Sequence, residues 1–92
     1  MILIEAKNEY RVSFDWYREI NPELAKKFYL SFKECLNIIK SNPLIFQIRY
    51  DEVRIKMFKT FPYLIHYQII DNLIIVPSIC HTSRDGNLNI FL

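Results

Sequence analysis

The chain has 92 residues, a formal charge of +2, 51% hydrophobic and 15% aromatic residues, one glycine and four prolines. This is enough apolar surface for one domain and too little chain for a second core, and the composition excludes disorder and low-complexity repeats. Positions 1–40 carry seven basic and six acidic side chains and positions 41–92 five and four, so there is no basic arm of the kind a dedicated DNA-binding domain presents.

Ile2–Ile4 is β-prone and predicts a short opening strand. From about Lys7 to Glu19, Tyr10, Phe14 and Tyr17 recur at i, i+4 and i+7 with Ala6 and Ser13 on the same side, the pattern of an amphipathic helix. Asn21-Pro22-Glu23 breaks and restarts the chain: Asn21 suits an N-cap, Pro22 the first helical position, and Glu23 the positive helix end. The second helix places Leu24, Phe28, Phe32, Cys35, Leu36 and Ile39 on one face. It stops at Asn42, because a residue before proline is pushed out of the helical region. So short a joint predicts an antiparallel helix hairpin.

After residue 44 the period changes to two. Val53, Ile55 and Met57 alternate with Arg54 and Lys56, and Ile65, Tyr67 and Ile69 with Leu64, His66 and Gln68. Asp71-Asn72 reads as a two-residue hairpin turn before a last strand from Leu73 to Cys80. Pro77 within that strand requires an edge position or a bulge. The order β-α-α-β-β-β defines an α+β domain, with a small antiparallel sheet covered on one face by the helix hairpin and expected to be free on the other.

These elements carry an ordered set of residues. Trp16-Tyr17 lies on the first helix, Leu24-Ala25-Lys26-Lys27-Phe28 opens the second, and Asn42-Pro43 follows it. Arg54 sits on the next strand, Phe61-Pro62-Tyr63 precedes the central one, and His81 with Arg84 follows the last. In this order and spacing, over about Ala6 to Arg84, the chain resembles toxins of the RelE/ParE superfamily of type II toxin–antitoxin systems, also described as plasmid stabilisation proteins. Where that family often places a proline and a C-terminal aromatic after the arginine, this chain has Asp85-Gly86-Asn87 and a late Phe91. The resemblance implies a small growth-inhibiting toxin neutralised by direct binding of a cognate antitoxin, with operator DNA contacted only through the antitoxin. It implies one of two targets: DNA gyrase, inhibited without nuclease chemistry, or mRNA cleaved on the ribosome.

RNA transesterification needs a base, cationic groups for the phosphorane and an acid for the leaving oxygen, which His, Arg, Lys, Glu and Tyr can supply without a metal. Arg54 and Lys56, two apart and on one side of the sheet, together with His81 and Arg84, are the catalytic candidates on the nuclease reading. Arg54, Lys56, Tyr63, Arg84 and Trp16 are the candidates for antitoxin or target contact. Each also has a structural reading: solvated strand cations, packing tyrosines with exposed hydroxyls at Tyr63 and Tyr67, a half-exposed His66, a His81 that anchors the tail, an Arg84 paired with Asp85 or Glu52. The nuclease branch tends to start the central strand with a further cation, and Pro62-Tyr63-Leu64-Ile65 has none, which favours the ParE-like branch. A toxin degenerate at its altered tail, acting only as an antitoxin-binding corepressor, is the third reading.

Cys35 and Cys80 lack metal-ligand spacing and fit buried free thiols in a reducing cytosol. Gly86 is the single glycine, so no phosphate-binding glycine loop can form and no cofactor is expected. Met1–Glu5 lacks the pattern of a signal sequence, and the longest apolar run, Leu73–Val76, falls far short of the roughly 20 residues of a membrane span. The expected location is the cytoplasm, with no membrane partner.

Overall fold

The computed structural model describes residues 1–82. Two helices, α1 (Ile4–Ile20) and α2 (Pro22–Ser41), are followed by four strands: β1 (Ile48–Tyr50), β2 (Val53–Met57), β3 (Tyr63–Ile70) and β4 (Leu73–His81). The strands form one antiparallel sheet in the order β1-β2-β3-β4. The joint between the helices works as its residue types dictate. The Asn21 side chain accepts a hydrogen bond from the Glu23 amide at 2.9 Å, Pro22 opens α2, and Asn42 closes it.

The helix hairpin buries its apolar stripe against one face of the sheet. Phe28 is the hub, with ring centroids 5.0 to 5.6 Å from Tyr17, Phe58, Phe61 and Tyr63. Ile65, Tyr67, Val76 and Ile79 complete this layer from the sheet. Such an aromatic cluster combines large burial with favourable edge-to-face pairs. The Phe61-Pro62-Tyr63 tripeptide is the hinge into the central strand: the Tyr63 amide donates to the Phe61 carbonyl at 2.8 Å, which turns the two rings into the core and leaves Pro62 outside.

Four features differ from expectation. The opening strand is reduced to a single parallel bridge of Ile2 to Val76. There the Leu3 amide donates to the Val76 carbonyl at 2.9 Å, the Val76 amide donates to the Met1 carbonyl at 2.8 Å, and α1 begins at once at Ile4. An additional strand, β1, precedes β2, joined to it by Asp51-Glu52 with φ of 42° and 64°. The sheet's second face is not free: Val53, Leu64, His66 and Cys80 are buried yet lie outside the helix-side cluster. The hydroxyl of Tyr67 is not exposed either, because the whole residue and Tyr63 are buried in the helix-side layer.

Pro77 sits where the β3–β4 register shifts, between the pairs His66–Ser78 and Gln68–Ile75. This places the missing donor at an irregularity of an edge strand, where it breaks no ladder.

Candidate functional site

Directly opposed residues of an antiparallel pair share a face. Arg54 opposes Tyr67 and Lys56 opposes Ile65, so both cations lie on one side of the sheet, and that side is the one the helices cover. Their donors turn to the chain that leaves α2. Arg54 Nη1 donates to the Phe46 carbonyl at 2.6 Å and reaches the Leu44 carbonyl at 3.3 Å. The Tyr67 hydroxyl donates to the Pro43 carbonyl at 2.7 Å. Lys56 Nζ donates to the Met57 carbonyl at 2.9 Å and stands 5.5 Å from the Phe46 ring centre, within cation–π range. Three side chains from two strands thus pin the segment 43–46. Burial pushes the Tyr67 hydroxyl above its ordinary pKa, partly opposed by the Arg54 charge, so it stays protonated and remains a donor.

Cys35, packed beneath this corner, has its sulfur 3.9 Å from the carbonyls of Lys56 and Met57. Burial raises its thiol to about 11, with the Lys56 charge opposing. A thiol so protonated is packing and not a nucleophile.

The second group of candidates lies where β3 begins and β4 ends. His81 closes β4 opposite Tyr63, with ring centroids 5.0 Å apart and planes nearly perpendicular. Both line a cleft of about 380 Å³ between α1 and β4, whose helical wall includes Glu9 and Val12. Glu9 spans the strand edge: Oε1 accepts from the Ile79 amide at 3.0 Å and Oε2 from the Ser78 hydroxyl at 3.4 Å. Trp16, set edge-on to Tyr17 at 5.0 Å, is 48% exposed and therefore a surface residue of α1. Tyr63 is 1% exposed, so it shapes the cleft from the core and presents no contact surface of its own.

Arg54 and His81 are separated by two strand spacings and by four residues along the strands, roughly 10 Å across and 13 Å along the sheet. The buried Ile65 and Tyr67 lie between them. The structure therefore brings Arg54 to Lys56 and His81 to Tyr63; Lys56, opposite Ile65, is the diagonal neighbour of Tyr63, while Arg54 and His81 stay apart. Arg84 and the tail from Asp85 to Leu92 lie outside the described residues.

One polar feature had no signal in the sequence. His66, 1% exposed, shares a 2.7 Å hydrogen bond between its Nδ1 and the Tyr50 hydroxyl on the face away from the helices. The cause is the irregularity of β1. Ile48 opposes Arg54, Tyr50 opposes Val53, and the register shift between them turns Tyr50 to the opposite face from Ile48. Tyr50 is itself held protonated by burial. His66 is therefore buried and not half-exposed as expected, because Tyr50 packs against it.

Among the described residues no three His, Cys, Asp or Glu side chains gather as a metal-binding set, and no helix is long and apolar enough to cross a membrane.

The structure is thus a two-layer α+β domain with a helix hairpin on one side of a four-stranded antiparallel sheet, with Arg54 and Lys56 on β2 and Tyr63 and His81 paired across β3 and β4. The chain belongs to the ParE toxin family of type II toxin–antitoxin systems, whose family model, described as the ParE toxin of the parDE system, matches residues 4–86. A search of curated proteins found no match. Membership in this family implies a cognate antitoxin partner.

Proposed function

We propose that this protein inhibits growth in the cytoplasm by binding a protein target of the DNA gyrase type, without nuclease chemistry, and is neutralised by its antitoxin. The observation that supports this most is the division of the candidate residues. Arg54 and Lys56 donate to the backbone carbonyls of Phe46 and Met57, while His81 stands two strands from Arg54 with buried Ile65 and Tyr67 between them. A metal-independent ribonuclease needs its base, acid and cations within reach of one phosphate. A binding protein has no such requirement.

On this reading Trp16 and Arg84 contact partners directly. Arg54, Lys56 and Tyr63 act through the backbone and rings they hold in place. Operator DNA is approached only by the complex with the antitoxin.

Ribosomes translating a defined mRNA in the presence of the purified protein test this reading. The expected result is no site-specific cleavage. Cleavage that needs ribosomes and is abolished by Arg84→Ala would assign the protein to the mRNA endoribonucleases instead. Unslowed growth on expression without antitoxin would leave only an antitoxin-binding corepressor.

A further inference from the structure

One flank of α1 is apolar and open to solvent. Val12, Trp16 and Ile20, at i, i+4 and i+8, are 67%, 48% and 59% exposed. Single exposed apolar residues are ordinary, but three on successive turns beside a cleft form a patch of the kind that marks a binding surface. The cleft is the one of about 380 Å³ between α1 and β4, walled by Glu9 and Val12 and lined by the buried Tyr63 and Ile79. Glu9 fixes this flank to the strand through the Ile79 amide and the Ser78 hydroxyl, so the surface is held in shape before any partner arrives.

The charges of α1 are sorted around the helix. At about 100° per residue the acids Glu5, Glu9, Asp15 and Glu19 fall within an arc of roughly 120°, and Val12 and Trp16 lie inside that arc. The bases Lys7, Arg11 and Arg18 gather within roughly 40° on another side, and the buried Ala6, Ser13 and Tyr17 mark the third. Tyr10, packed on Phe28 and Phe32, keeps α2 away from the acidic side. Asp15 is paired with Arg18 at 3.3 Å, and Glu5 and Glu19 are exposed toward the two ends of the patch. Across the cleft, β4 has no Asp, Glu, Lys or Arg from Leu73 to His81 to offset these acids.

This charge decides what the patch can hold. Nucleic acid and anionic lipid are repelled by it. A second copy joined through the same patch would set acid against acid about the two-fold axis. A lysine or arginine is attracted twice, by the carboxylates and by the face of an exposed indole.

We propose that the α1–β4 flank is the surface that grips the target protein, and that it receives a cationic, apolar segment whose lysine or arginine lies on Trp16 while an aliphatic side chain enters the cleft beside Val12. This rests on the reading above that the protein acts by binding a protein target, and it names the surface and the chemistry of the bound segment.

The test measures the affinity of the full chain for purified gyrase and, separately, for the antitoxin. Trp16→Ala and Glu5→Lys/Glu19→Lys are each expected to weaken gyrase binding by about tenfold or more, while Lys7→Glu/Arg11→Glu, on the basic side, stays within about twofold of the parent. Independently, Trp16, the single tryptophan of the chain, is expected to be protected from hydroxyl-radical oxidation when the unaltered chain binds gyrase. Parent-like gyrase affinity of both variants, or unchanged oxidation of Trp16 in the complex, would overturn the flank while leaving the target reading intact. Loss of antitoxin affinity in place of gyrase affinity would give the patch to the antitoxin and overturn the proposal as well. Absence of gyrase binding by the unaltered chain would overturn the target reading and this proposal with it. A variant that loses its helical circular dichroism is set aside, and the oxidation measurement decides.

Discussion

At Arg54 a side chain that reads as a solvated strand cation turns out to organise a loop. Its guanidinium spans two carbonyls of the segment 43–46. Hydrogen bonds from a charged donor contribute more than neutral ones, so Arg54→Ala is expected to lower stability by roughly 1–3 kcal/mol in urea denaturation. Tyr67→Phe, which leaves the Pro43 carbonyl without its donor, should cost about 1 kcal/mol by the same measurement. The face on which Arg54 and Lys56 lie together was legible from their spacing. That the helices lie over this same face was not, because facing is set by register with β3, a relation between distant segments. His66 shows the same limit: its burial depends on Tyr50, brought across by a bulge that no local pattern announces.

The buried Cys35 and the half-buried Tyr10 give a pH dependence with a definite sign. Burial raises Cys35 from 9.0 to about 11, and burial with the neighbouring Tyr29 raises Tyr10 from 10.0 to about 12. The folded chain then holds these protons more tightly than the unfolded one. Their contribution is complete below pH 9 and is lost as pH rises through about 11 and about 12. Urea midpoints should therefore fall between pH 9 and 12, and the fall should be shallower in Tyr10→Phe and Cys35→Ala. A midpoint that rises over this range would contradict the assignment.

At the scale of elements, the helices were legible because their punctuation is chemical. Asn21-Pro22 caps and starts α2, and Asn42-Pro43 ends it. Asn21→Ala is expected to cost about 1 kcal/mol through loss of the bond to the Glu23 amide. The two hairpins differ instructively. Asp71-Asn72, at φ of 50° and 66°, uses residue types that tolerate the left-handed region, and its turn is readable. Asp51-Glu52 adopts similar angles with a glutamate at 64°, a residue type that gives no turn signal. The three-residue β1 therefore has no signal in the sequence. Glu52→Gly should relieve this conformation and raise stability by about 1 kcal/mol in urea denaturation, against the usual effect of adding glycine. A loss of stability on that substitution would mean that the glutamate side chain supports the turn.

Across the described residues, the helix hairpin fixes one face of the sheet, Val53, Leu64, His66 and Cys80 are buried on the other, and Arg54 and His81 stand two strands apart. The family match spans residues 4–86, and the ordered motifs lie within that span. Of these, Phe61-Pro62-Tyr63 identifies the fold and hinges the central strand, with its two aromatic rings committed to the core. Among the described residues Arg54 and His81 are kept apart by Ile65 and Tyr67, which supports the proposal of a binding function. The most direct test is a DNA supercoiling reaction with purified gyrase and this protein, with and without antitoxin. Inhibition of supercoiling by the free protein, relieved when antitoxin is added in equal amount and accompanied by no RNA cleavage, is the predicted result. Unaltered supercoiling at a tenfold excess of toxin over gyrase would contradict it.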